Sequence, residues 1–166
     1  MCGIVGLFAK SPKIRSDLGL HLSKMLRSMS DRGPDSAGLA IYGNPLAKKI
    51  KIMVQSQSPE VDFKKLKNLL SAKKAISSSL DIHSTHAVIT LEAKQKTQIV
   101  NIITDVFPNL RILSIGKKME IYKEVGRPAD VVKRFEIDRM KGSHGIGHTR
   151  MATESAVTTL GAHPFS

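Results

Sequence analysis

The chain has 166 residues, of which 41% are hydrophobic and 24% charged. This length fits one domain, with or without a modest insertion, and this composition excludes disordered, collagen-like and low-complexity proteins. The apolar stretches fall well short of the ~18 residues that a membrane-spanning helix needs, so we expect no transmembrane segment.

The charge is strongly positive, with 26 Lys and Arg against 14 Asp and Glu, a formal net charge of +12. Such an excess suggests a nucleic-acid partner. However, the surplus is mainly lysine spread along the chain, and there are only 5 Phe, 2 Tyr and no Trp to stack on bases. We therefore expect a solvated lysine-rich surface and no dedicated nucleic-acid function. The single cysteine, Cys2, excludes an internal disulfide and favours the cytoplasm.

The first 45 residues predict a strand, a helix and a second strand. Residues 2–9 are apolar, and Ser11 and Pro12 form a typical helix start. Turn-forming residues at 31–36 end the helix, and residues 37–42 form the next strand. The predicted helix carries one apolar face over about five turns, made by Ile14, Leu18, Leu22, Met25 and Met29.

The middle of the chain, residues 46–118, is predicted to be a small α/β insertion without a recognisable site. Its strands and helices alternate, with strands near 50–54, 86–91 and 110–115 and helices at 61–74 and 97–107.

The last part of the chain predicts a strand at 120–124, a helix at 128–135 and a glycine-rich strand at 142–150. Glycines weaken a strand unless another backbone or a ligand comes close to it. The sequence therefore indicates a close approach along this strand.

Cys2 is the first candidate for chemistry. Methionine aminopeptidases remove Met1 when the second residue is small, and the mature chain would then begin with a cysteine. Its α-amine, with an ordinary pKa of about 7.7–8.0, could take the proton of its own thiol. An N-terminal residue that is both nucleophile and base is a known arrangement for acyl transfer. The alternative is a small buried hydrophobic residue at the start of a strand.

Four short segments, taken together and in this order along the chain, resemble the motifs of a known family. They are residues 1–7 (MCGIVGL), 31–38 (DRGPDSAG), 145–153 (GIGHTRMAT) and 162–165 (AHPF). Together they resemble the class II glutamine amidotransferases, which are N-terminal-nucleophile hydrolases. The resemblance covers about residues 1–45 and 120–166. It implies an α+β fold, a partial layered αββα sandwich, in which one amidotransferase domain spans residues 1–166 and contains the insertion.

The resemblance also implies a glutaminase. Cys2 would attack the side-chain amide of L-glutamine, form a γ-glutamyl thioester and release ammonia for an acceptor synthase domain or subunit. Arg150 would bind the α-carboxylate of glutamine and Thr153 its amino-acid end, with no cofactor. Five residues would support the site, namely Arg32, Gly33, Asp35, Gly147 and His148. No metal is expected, because the paired histidines lack the further ligands of a zinc site.

Each of these residues also has a purely structural interpretation. Arg150 could be a surface ion-pair partner, Arg32 could form a local salt bridge, and Thr153 could cap a turn. The whole chain could accordingly be a catalytically inactive scaffold or interaction subunit, or a lysine-rich module that binds RNA or other anions.

The chain departs from the family at its end. In the family, a strand beyond His-Pro-Phe supplies an Asn-Gly pair that stabilises the oxyanion, whereas this sequence stops at Ser166. Loss of an oxyanion donor costs about 10²–10³ in rate, so we expect the first part of a longer domain with weak glutaminase activity or none. The insertion resembles that of separate amidotransferase subunits serving glutamate-synthase-type or N-methylglutamate-synthase-type complexes.

Overall fold

The computed structural model describes residues 2–73, 78–152, 157–159 and 161–165. They form a mixed α/β structure that divides into two compact units, Met1–Asn44 with Glu120–Ser166, and Pro45–Met119. The elements, in chain order, are β1 (Gly3–Phe8), α1 (Pro12–Ser16), α2 (Leu18–Ser28), β2 (Ser36–Tyr42), β3 (Lys49–Gln55), α3 (Pro59–Ala72), β4 (Ser78–His83), β5 (His86–Glu92), α4 (Lys96–Val106), β6 (Arg111–Gly116), β7 (Met119–Val125), α5 (Pro128–Arg134) and β8 (His144–Arg150).

The first unit contains a four-stranded sheet in the order β1-β8-β2-β7. Strand β8 pairs antiparallel with both β1 and β2. In this register Gly3 lies opposite Thr149, and Ser36 lies opposite Arg150. The beginnings of β1 and β2 therefore lie beside the end of β8.

The glycines of β8 allow helix α2 to pack closely on the sheet. A Cβ atom on Gly145 would lie 2.6 Å from Leu22 Cδ1, and one on Gly147 would lie 2.8 Å from Leu26 Cδ2. The sequence predicted a neighbouring strand and a substrate as the groups close to these glycines. The neighbouring strands are close, with Ala40 O of β2 at 3.1 Å from the Gly145 position and Val5 Cγ2 of β1 at 2.9 Å from the Gly147 position, and the side chains of α2 come closer still.

The predicted N-terminal helix is interrupted at Asp17, which separates α1 from α2. The interruption coincides with tertiary hydrogen bonds: Gly19 N donates to Met140 O at 2.9 Å, and Gly142 N donates to Arg15 O at 3.1 Å. These bonds use backbone groups that a continuous helix would pair internally. The apolar periodicity was correct, but it contained no signal for this break.

The second unit contains a sheet in the order β4-β5-β3-β6, with antiparallel pairing throughout. Helices α3 and α4 contribute Phe63, Leu66, Ile99 and Ile103 to its core. Strand β4 was not predicted, because four of the six residues in its sequence SSLDIH are polar and none of the six is buried.

Helices together with two antiparallel sheets confirm the α+β part of the predicted fold. The N-terminal-nucleophile sandwich stays a prediction, as does the assignment of one amidotransferase domain over 1–166 with an insertion at 46–118. Among the described residues, no helix combines the length and the apolar character that crossing a bilayer requires.

Candidate functional site

Cys2 and Arg150 lie at the same end of two neighbouring strands. Cys2 is exposed and directly precedes β1. Because Gly3 is paired with Thr149 in an antiparallel register, the next residue of each strand in that direction is Cys2 on β1 and Arg150 on β8. A cysteine thiol and a guanidinium group are therefore carried by one end of the sheet.

The loop before β2 is attached to this end of β8 through Gly33 and Asp35. Asp35 N donates to Arg150 O at 3.1 Å, and Asp35 Oδ2 accepts a hydrogen bond from Ala152 N at 2.8 Å. Gly33 is buried so close to the backbone of Thr149 and Arg150 that a Cβ atom would overlap it. Both residues thus hold the end of β8, whereas the side chain of Arg32, in the preceding turn, is exposed.

Arg150 is half-buried, and its guanidinium is oriented by a backbone carbonyl. Its Nη1 donates to Gly161 O at 2.9 Å, and Gly161 is so near that a Cβ atom there would collide with the guanidinium. A planar guanidinium with five donors can bind a carboxylate through two of them at once.

A short segment, residues 161–165, lies against the sheet beside Arg150 and is called the 161–165 segment below. The ring of His163 is 4.4 Å from that of His148 and 4.2 Å from that of Phe165, measured between centroids. The segment approaches β2 at Gly38, where a Cβ atom would overlap His163 O. His148 therefore packs on the segment whose Gly161 carbonyl orients Arg150.

Lys123 on β7 is a buried cation that sequence reasoning missed. Only 5% of the residue is exposed, and its Nζ donates to Ala162 O at 2.9 Å. The same Nζ lies 4.8 Å from the centroid of the Phe165 ring. Desolvation by burial lowers the pKa of Lys123. In the sequence it was one of many lysines, and no local pattern separated it from those on the surface.

The histidines of the site are held in the neutral form. Burial, followed by His163 and Arg150, lowers the pKa of His148. Burial, followed by Arg150 and Lys123, lowers the pKa of His163. Near neutral pH both rings are therefore mainly uncharged, whereas the guanidinium of Arg150 stays charged. Such an arrangement can receive a small anionic group next to an exposed thiol.

The structure thus brings together most of the residues that the sequence singled out. Gly33, Asp35 and His148 surround the end of β8 that carries Arg150, and Cys2 stands beside it. Gly147 lies farther along β8 and faces α2. Thr153 lies outside the described residues. Within the described part of the chain, no three His, Cys, Asp or Glu side chains are grouped as metal ligands would be.

Comparison with known proteins shows similarity to glutamine amidotransferases. The chain is 54% identical over its whole length to the glutamine amidotransferase-like protein GlxB of Rhizobium meliloti and covers 55% of that protein. It is 33% identical, over 99% of its length, to a putative glutamine amidotransferase of Methanothermobacter thermautotrophicus and covers 56% of it. The chain therefore spans about half the length of these relatives. No family model matches it.

A shorter part of the chain is similar to a third protein. Over 51 residues, 31% of this chain, the sequence is 49% identical to glutamine–fructose-6-phosphate aminotransferase of Streptococcus pyogenes, of which the match covers 8%.

Proposed function

Because this chain carries class II glutamine amidotransferase sequence, we propose that it supplies Cys2 as the nucleophile of a glutaminase half-reaction. The observation that carries the proposal is the strand register, which puts an exposed Cys2 beside Arg150. Attack on the side-chain amide of a small amino acid requires a nucleophile, such as a thiol, and a cation that binds the carboxylate of the amino acid. Both groups are present at this end of the sheet.

The proposed reaction begins once Met1 has been removed. The free α-amine of Cys2 takes the thiol proton, and the sulfur attacks the side-chain carbonyl carbon of glutamine. The tetrahedral intermediate collapses when the C–N bond breaks, and the leaving nitrogen takes the proton held by the α-amine, so that ammonia departs. Water then attacks the γ-glutamyl thioester, which releases glutamate and restores the thiol.

Arg150 has a binding role in this proposal. Its guanidinium pairs with the α-carboxylate of glutamine, and the hydrogen bond to Gly161 O leaves its orientation set before the substrate arrives. Thr153, three residues farther on, is proposed to contact the amino-acid end of glutamine. Gly33 and Asp35 support Arg150 by attaching the loop before β2 to the end of β8.

The ammonia is proposed to pass to an acceptor on another domain or subunit, as in glutamate-synthase-type complexes, in the cytoplasm. We also propose the layered αββα arrangement for the first unit. One face of its sheet packs on α2, and the other exposes the apolar side chains of Ile4, Phe8 and Ile146, which a second layer would cover.

The test is covalent labelling of the thiol. The full-length protein is treated with a diazoketone analogue of glutamine, and intact mass and peptide mapping locate the adduct. We expect a chain that lacks Met1 and carries one adduct on Cys2. A chloroacetamide that lacks the amino-acid group serves as a reagent with no affinity for the site.

Two variants complete the experiment. Cys2→Ala should abolish both labelling and glutaminase activity, whereas Lys133→Met, an exposed change on α5, should alter neither. Retention of Met1 in protein that is fully active, or unchanged glutamine hydrolysis by Cys2→Ala, would contradict the proposal. A protein that binds a synthase subunit but never reacts with the analogue would instead be the inactive scaffold.

A further inference from the structure

Lys123 and Arg150 are connected through two consecutive residues of the 161–165 segment. Arg150 Nη1 donates to Gly161 O at 2.9 Å, and Lys123 Nζ donates to Ala162 O at 2.9 Å. The Gly161 and Ala162 carbonyls belong to consecutive peptide units, so the hydrogen bond at Ala162 O restricts the backbone that carries the Gly161 carbonyl.

The neighbouring residue on β7 holds the chain just before this segment. Glu124 is 7% exposed and accepts a hydrogen bond from the Thr159 hydroxyl. Its other oxygen lies 3.4 Å from Arg134 Nη1 on α5. Lys123 and Glu124, which are adjacent on β7, therefore form hydrogen bonds with residues 162 and 159. These two residues lie on either side of Gly161, whose carbonyl orients Arg150.

A lysine is a costly choice for this position. Burying an ammonium group is unfavourable unless it is hydrogen-bonded, and an apolar side chain of similar length would fill the same space without that cost. What the lysine adds is a directed, charge-assisted hydrogen bond to one carbonyl and a cation–π contact with Phe165, 4.8 Å from the ring centroid.

We propose that Lys123 is a positioning residue for glutamine: by holding Ala162 O, it fixes the Gly161 carbonyl that aims the Arg150 guanidinium at the substrate carboxylate. This inference rests on the proposed function, in which Arg150 binds that carboxylate. Lys123 itself touches no reacting atom. Its loss should therefore weaken recognition of the amino-acid end of the ligand and spare the reactivity of the Cys2 thiol.

The experiment compares two reagents on the full-length Lys123→Met protein. Labelling of Cys2 by the diazoketone analogue is followed over a range of concentrations, which separates the half-saturating concentration from the limiting rate. We expect the half-saturating concentration to rise about tenfold, with the limiting rate unchanged within about twofold. The rate with chloroacetamide, which has no carboxylate, should stay unchanged, as should both rates in Lys133→Met.

Two outcomes overturn the inference: an unshifted half-saturating concentration, or an equal slowing of both reagents, which would indicate general damage to the fold. Thr159→Val gives an independent, milder test should Lys123→Met fail to fold, because it removes only the hydroxyl that donates to Glu124. Its half-saturating concentration should rise about threefold, and no rise would overturn the inference. If the analogue fails to label the unaltered protein, it is the proposed function that fails.

Discussion

The two compact units of this chain are packed in different ways. Eleven of the 12 glycines lie in the unit formed by Met1–Asn44 and Glu120–Ser166, and the unit Pro45–Met119 contains only Gly116. In the first unit, Gly38 and Gly19 allow one backbone segment to touch another. Around Gly116 a Cβ atom would meet nothing within 4 Å. Both units thus bury apolar side chains, and the first unit adds close contacts between backbone segments at its glycines.

This difference coincides with the distribution of candidate functional residues. Cys2, Asp35, Lys123 and Arg150 all belong to the first unit, and backbone carbonyls or amides form hydrogen bonds with the side chains of the last three. The core of the second unit is formed by aliphatic residues and two phenylalanines. Backbone groups fixed by the fold orient side chains precisely, whereas a stable core needs only well-packed side chains.

The largest expected effect is on the second unit, from Phe63→Ala. Phe63 is 1% exposed within the core, and its truncation should lower the free energy of unfolding by about 3–5 kcal/mol. Urea titration followed by circular dichroism measures this loss. The half-saturating concentration for labelling of Cys2 should not change, because no candidate site residue lies in this unit.

Val61→Ala is the matched control, since Val61 lies on the same helix and is 53% exposed. Its cost should be below about 0.5 kcal/mol. A similar loss of stability in both variants would show that the second unit lacks the side-chain core described here.

A smaller effect is expected from Gly38→Ala in the first unit. The new Cβ would overlap His163 O and lie 2.6 Å from Lys123 Cβ, so the 161–165 segment must move. We expect a loss of about 1–3 kcal/mol and weaker labelling of Cys2 by the glutamine analogue. Thermal unfolding and the labelling titration measure the two consequences.

Gly116→Ala provides the counterpart in the second unit. Because nothing lies within 4 Å of the added Cβ, this variant should be neutral or more stable by up to about 1 kcal/mol. An equal change in the free energy of unfolding in Gly38→Ala and Gly116→Ala would contradict the difference in packing between the two units.

The smallest effect is a pH dependence of stability that arises in the first unit. The pKa values of His148 and His163 are lowered by burial and by neighbouring cations, so the unfolded chain binds protons more readily than the folded one. Stability from these groups is complete above about pH 6.5 and declines as the pH falls below it. The decline should be under about 1 kcal/mol, because both rings are partly solvated.

Urea unfolding at pH 7.5 and pH 5.5 tests this dependence. The difference between the two pH values should shrink in His163→Gln and stay the same in His21→Gln, which changes an exposed residue of α2. An equal pH dependence in all three proteins would assign it to other groups.

Much of the fold could be predicted from local signals. The strand at 37–42 and the helix beginning at Pro128 are present as β2 and α5, because a short apolar run bounded by turn-forming residues and a proline at the first helical turn are local determinants. Strand β4 could not be predicted, since it is held by pairing with β5 and not by a pattern of its own. The break at Asp17 depends on residues 140 and 142, which are far away in sequence.

By itself, the sequence determined the apolar periodicities, the segment order that resembles the amidotransferases, and Cys2 and Arg150 as candidates, since these are properties of residue type and spacing. Only the tertiary structure decided that Cys2 and Arg150 share one end of the sheet and that Lys123 is buried against Ala162 O. Register and burial depend on contacts between residues many positions apart. No local pattern encodes which of many lysines such contacts will remove from water.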